Sequence, residues 1–112
     1  MKRKRRSLLQ RREIFDKTGG RCYYCGCELP FEDMRLDHMV SLHNHGEDEM
    51  DNLVPSCQQC NYYKKGSNPE GFRRKLKRAF AREKKSDYVK ALERKYEGWN
   101  GKFFFERTQE KQ

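Results

Sequence analysis

Apolar positions recur at helical spacing in the second half of the chain. Beyond residue 68, Phe72, Leu76, Ala79 and Phe80 fall on one face, while Arg73, Arg74, Lys77 and Arg78 occupy the other. Asn68-Pro69-Glu70 supplies the start of this helix: an N-cap, a proline at the first position and an acid at the positive end. Ser86 caps a further predicted helix running to about Tyr96, with Val89 and Leu92 inward. Near the other terminus, Ser7 and Gln10 have capping-box spacing. The helix they open has an apolar side of Leu8, Ile14 and Phe15, a basic side of Arg11 and Arg12, and a stop at Gly19-Gly20. Between these helices the period changes. Residues 34–40 read as a strand, 41–50 as a polar loop containing Gly46, and 52–55 as a second short strand. Ser56 precedes a helix from near Cys57 to about Lys65, stopped by Gly66. At the end of the chain, residues 98–101 read as a turn and 102–106 as a short strand, with Asn100-Gly101 closing a hairpin. Trp99 and the phenylalanines at 103–105 are expected to pack on the helices rather than stack on nucleic acid. There is no internal repeat and no low-complexity linker.

Composition limits what these elements can do alone. Of 112 residues, 34% are hydrophobic and 38% charged, so the core is modest. Domains this small usually need a metal or disulfides as a staple. The five cysteines are odd in number, the basic N-terminus lacks a secretory apolar region, and no apolar run approaches membrane-spanning length. A reducing, cytoplasmic setting is therefore expected, where paired C-x2-C motifs read as zinc ligands. The net charge of +9 favours a polyanionic partner, most simply nucleic acid. Residues 1–6 form a basic arm that either follows phosphates or is a solvated tail.

Cys22-x2-Cys25 and Cys57-x2-Cys60 each let one tight turn offer two sulfurs to a tetrahedral ion, and together they make a structural zinc site. Cys27 competes with Cys25 by position, but C-x2-C spacing matches the downstream pair, which leaves Cys27 a free thiol. Tyr23 and Tyr24, inside the first knuckle, are expected to pack beside the site rather than stack on bases. Asp37, His38 and Asn61 form a second, hard oxygen-and-nitrogen set. An imidazole, with an ordinary pKa of about 6.5, accepts a proton at neutral pH, so His38 is the candidate general base. In an extended segment Asp37 points to the opposite side, free to hold a metal.

Taken in order, Cys22-x2-Cys25, Asp37-His38, Asn52-Leu53, Cys57-x2-Cys60-Asn61 and Lys65-Gly66 resemble the ββα-metal core of HNH endonucleases, in the version with a four-cysteine zinc site. The resemblance spans about residues 21–66. It implies an α+β fold: a small zinc-stapled ββα-metal (His-Me finger) core at 7–66, with a C-terminal helical extension and terminal short strand at 67–112. It also implies that Asp37 and Asn61 hold a catalytic Mg²⁺ or Mn²⁺ and that Asn52 braces the loop orienting His38. Asn61 stands where many relatives carry histidine. Ser41 replaces a frequent proline and His45 a frequent glycine, which leaves the loop geometry open. His43 and His45 are expected to be exposed, with phosphate or metal contact as the alternative. Lys64 and Lys65 are expected at the DNA backbone, or at a solvated helix end.

The implied activity is metal-dependent hydrolysis of DNA, as a nick or a double-strand break, with a 5′-phosphate and a 3′-hydroxyl as products. Resemblance to phage and mobile-element nucleases brings a homodimer or phage packaging proteins into view as partners, beside restriction and homing roles. A non-catalytic zinc-bound nucleic-acid-binding module explains the charge and cysteines equally well. It does not explain why Asp37, His38, Asn52 and Asn61 occur together. A zinc-stabilised protein-interaction module leaves the basic balance unexplained.

Overall fold

A computed structural model describes residues 4–110 of the chain, with side chains through residue 107. Positions 1–3 of the expected basic arm lie outside the described residues. The element order is helix α1 (Leu8–Asp16), strand β1 (Arg35–His38), strand β2 (Leu53–Ser56), then helices α2 (Gln58–Lys64), α3 (Pro69–Ala81), α4 (Asp87–Lys95) and α5 (Phe104–Glu110). The small α+β architecture with a ββα core is the one expected. Among the described residues no helix is long and apolar enough to cross a membrane.

The two strands pair antiparallel, with Arg35 opposite Ser56 and His38 opposite Leu53. β1 stops short of the expected residue 40 for a specific reason. The backbone of Val40 is taken by the side chain of Asn52, which accepts from its N–H (3.0 Å) and donates to its carbonyl (2.8 Å).

Local signals set the helix starts. Ser7 and Gln10 form the full capping box of α1, Asn68 Oδ1 accepts from Gly71 N, and Ser86 Oγ accepts from Val89 N. Each such cap contributes about 1 kcal/mol. α1 departs from its expected apolar side, because Ile14 is buried while Leu8 and Leu9 are 71% and 82% exposed. The helix docks through its C-terminal half, where Phe15 meets Phe31 edge-on and Arg12 lies 4.4 Å from the Phe31 ring. α2 ends at Lys64, one residue earlier than expected. Lys65, not Gly66, takes the positive φ of 49° that turns the chain.

The C-terminal strand and hairpin expected over 102–106 are absent, and α5 stands there instead. Glu106 decides it. Its Oε1 accepts from Phe103 N (2.8 Å), half of a capping box, while its carboxylate takes a two-pronged bond from Arg73 (2.7 and 2.8 Å). The next two N–H groups, of Phe104 and Phe105, donate to the carbonyls of Tyr24 and Tyr23. Asn100 Oδ1 accepts from Lys102 N, a local turn rather than a hairpin. The expected packing of these aromatics holds. Phe103 is buried, stacks on Phe72 at 5.3 Å and meets the Tyr24 ring edge-on, while Phe105 stacks on Tyr23 at 4.2 Å. The core therefore sits where the cysteine knuckle, α3 and α5 converge on Tyr24.

Candidate active site and metal centre

Two turns, one at each C-x2-C, bring four sulfurs together. The Sγ atoms of Cys22, Cys25, Cys57 and Cys60 all lie within 4.8 Å of one another, and all four residues are buried. Tetrahedral zinc at a Zn–S distance of about 2.3 Å sets sulfurs roughly 3.8 Å apart; Cys25 and Cys57 stand at 3.9 Å. No disulfide joins any cysteine. The cluster thus fits a structural metal such as zinc. Cys57 also caps α2, its Sγ accepting from Cys60 N at 3.4 Å. Tyr96, at the end of α4, places its hydroxyl 2.9 Å from Cys60 Sγ. Burial, then the neighbouring Cys60, pushes the phenol pKa up, so Tyr96 stays protonated and donates to sulfur. Cys27 lies outside the converging set, half-buried, with Lys95 Nζ at 3.6 Å.

The strand pair places Asp37 and His38 side by side in sequence but facing different elements. Both are buried, and both line a cavity of about 170 Å³ together with Ser41, Leu42, His43, Lys65 and Gly66. Asp37 looks toward α2 and the knuckle. Tyr24 Oη donates to its Oδ2, Asn61 Nδ2 reaches its Oδ1 at 3.3 Å, and Lys64 Nζ stands 3.3 Å from Oδ2. Burial raises the Asp37 pKa, while Lys64 and Tyr24 oppose that rise by favouring the ionised form. Lys64 is 0% exposed and also donates to the His38 carbonyl at 3.0 Å. It is therefore not on a DNA-facing surface, as had been expected, but serves as the internal counter-charge of Asp37. Without it, a buried carboxylate would stand uncompensated, at a cost of several kcal/mol.

The His38 ring faces the other way. Its Nε2 lies 2.8 Å from Asp48 Oδ1. Asp48 in turn accepts from Arg6 (2.7 Å) and from the backbone N–H of Lys4 (2.6 Å). The His38 bond, followed by the Lys4 and Arg6 contacts, holds the Asp48 carboxyl well below its ordinary pKa. An ionised carboxylate only accepts, so Nε2 carries the proton, and in the neutral ring Nδ1 keeps the lone pair. From Lys4 onward the basic arm is thus tied to the loop through Asp48.

Asn52 sits behind this loop. Besides its two bonds to Val40, its Nδ2 donates to Glu47 O at 2.8 Å and its carbonyl accepts from Met39 N. It closes the segment between His38 and Asp48 like a clasp. His43 and His45 are exposed, and His45 takes the left-handed conformation (φ 67°) that a glycine adopts more easily. Gly46 has no such freedom to spare, since a Cβ there would stand 1.8 Å from Val40 O.

Asp48, Arg6, Tyr24 and the buried role of Lys64 were not found from the sequence. Only Lys64 carried a signal, because it follows Cys57 and Cys60 at helical spacing and so shares their buried face.

Residues 22–66 match the family model for HNH endonuclease. In three dimensions the chain is similar to the Type II-C Cas9 enzyme from Actinomyces naeslundii, with a TM-score of 0.52 at 19% identity. That likeness covers 78% of this chain and 10% of the other, and it shows a shared fold. No curated protein matches the chain in sequence.

Proposed function

We propose, from the match of residues 22–66 to the HNH endonuclease family model, that the chain is a nuclease that hydrolyses DNA phosphodiester bonds with His38 as general base and one divalent cation. The observation that carries this reading is the orientation of His38. Its Nε2 is bound to Asp48, and the residue lines the same cavity as Asp37.

In this mechanism Nδ1 of His38 takes a proton from the attacking water. The water oxygen bonds to phosphorus, the bond to the 3′ oxygen breaks, and that oxygen takes up a proton from solvent, leaving 5′-phosphate and 3′-hydroxyl ends. Asp37 and Asn61 would hold the cation. Their oxygens are hard donors, and two protein ligands leave room for water and phosphate, which suits Mg²⁺ or Mn²⁺. When bound, the cation would supply charge neutralisation at the phosphate and at the leaving oxygen, and it would meet the Lys64 ammonium already beside Asp37. Asn52 holds the loop so that Asp48 meets the ring.

Supercoiled plasmid, incubated with Mg²⁺, with Mn²⁺ and with EDTA, tests the proposal. Conversion to nicked or linear DNA with either metal, stopped by EDTA, is the expected result. DNA binding without cleavage under any metal would return the chain to a non-catalytic binding module.

Asp48 has a separate consequence as a positioning residue. Asp48→Asn is expected to lower kcat about 10- to 100-fold, the usual range for a partner that orients a histidine. The KM for DNA should hold, and Asp48→Glu should recover part of the rate. Equal losses in kcat and in DNA affinity would mean that Asp48 serves the fold and not the ring.

A further inference from the structure

A second cavity, of about 300 Å³, opens beside the first, lined by Tyr63, Lys65, Lys75, Arg78 and Arg82. It lies between the end of α2 and the basic face of α3, and three of its lining residues, Lys75, Arg78 and Arg82, fall beyond the segment that matches the nuclease family. Four cations line it and no carboxylate does. Among the described residues none of the four has an acidic partner within ion-pair distance. We propose that this cavity binds a backbone phosphate of duplex DNA neighbouring the scissile one at the Asp37–His38 cavity, with Lys65, Arg78 and Arg82 as its ligands.

Three observations support the site. Lys65 lines both cavities, so the two lie within the reach of one lysine side chain, as neighbouring phosphates on one strand would require. Lys65 also adopts φ 49° and ψ −128°, a conformation natural to glycine and strained for a side-chain-bearing residue. Strain of this kind clusters at active sites and ligand clamps. Lys75, finally, is fixed in place, donating to the carbonyls of Tyr63 (3.2 Å) and Lys64 (3.3 Å) at the end of α2. Its pKa is lowered by burial and then by Lys65 and Arg78, the mark of cations crowded without an anion. Such crowding opposes folding and is relieved by a polyanion.

The site rests on the nuclease reading above, and its test separates the two. Binding of a short fluorescent duplex is measured by anisotropy over a range of salt, in a His38→Ala background. Arg78→Gln with Arg82→Gln is expected to weaken binding about tenfold and to flatten the slope of log affinity against log salt by about 1, the share of one phosphate. Lys65→Gly is expected to flatten the slope likewise while its melting temperature holds or rises, because glycine accepts the backbone there. Parent-like affinity and slope in either variant overturns the site. Plasmid nicking by the unmodified protein is run alongside. Nicking with unchanged slopes sinks this site alone, whereas flattened slopes without nicking sink the nuclease reading and leave the phosphate site standing.

Discussion

Replacing His38 with alanine is expected to reduce DNA cleavage by about 10²- to 10⁴-fold, the range a positioned general base supplies, while the fold and DNA binding survive. The two halves of this expectation have different grounds. The loss of rate follows from removing the imidazole of a residue that lines the cavity shared with Asp37. The survival of the fold follows from Asp48, which keeps the bonds from Arg6 and from Lys4 N when the imidazole is gone. No buried charge is left unpaired, so the cost is that of one lost hydrogen bond and a small cavity, on the order of 1–3 kcal/mol. DNA affinity should hold because the ring is buried and its Nε2 is already bound within the protein. The comparison is made by plasmid cleavage and duplex anisotropy on the same preparations. A His38→Ala variant that cuts at the parental rate would show that another group takes the proton, and the assignment of the base would fall. A variant that loses binding as well as cleavage would show that the histidine holds the loop as a surface, not as a catalyst.

The parts of this molecule that were legible in the sequence are those fixed by neighbours along the chain. Ser7, Asn68 and Ser86 cap the helices they precede because a cap needs partners only two or three residues away. The cysteine spacing predicts the cluster because each C-x2-C turn is a local object. What the sequence hid was decided by distant contacts. Three consecutive phenylalanines read as a strand by propensity, yet Arg73 and the carbonyls of Tyr23 and Tyr24 turn them into the opening of a helix. In the run Glu47-Asp48-Glu49 nothing local marks Asp48 as the acid that turns inward to His38. Leu8 matched an apolar face in the pattern, but among the described residues it is left 71% exposed at the N-terminal turn of α1. Lys64 and Lys65 are adjacent and chemically identical, yet the last turn of α2 sends Lys64 into the core while Lys65, past the helix end at φ 49°, reaches the surface.

Removing the metal from the cysteine cluster should have the largest effect of all, and it should unfold the chain rather than slow it. Structural zinc sites contribute roughly 10–16 kcal/mol of apparent binding energy, as much as or more than the total stability of about 5–15 kcal/mol typical of a domain. Here the cluster also joins separate parts of the protein. Cys22 and Cys25 belong to the knuckle, Cys57 and Cys60 to the start of α2, and Tyr96 brings the end of α4 onto Cys60. Tyr24, between two of the ligands, is the ring on which Phe72 and Phe103 pack, so loss of the knuckle propagates into α3 and α5. Cys57→Ala removes a ligand and the side-chain cap of α2 together. It is expected to abolish the cooperative thermal transition followed by circular dichroism, and a strong zinc chelator should do the same to the unmodified protein. Mild EDTA treatment should separate the two metals, stopping cleavage while the melting curve is unchanged, because a site of two hard ligands releases its ion far more readily than four buried thiolates do. A Cys57→Ala protein that melts cooperatively near the parental temperature would mean that the aromatic core, and not the metal, holds this fold together.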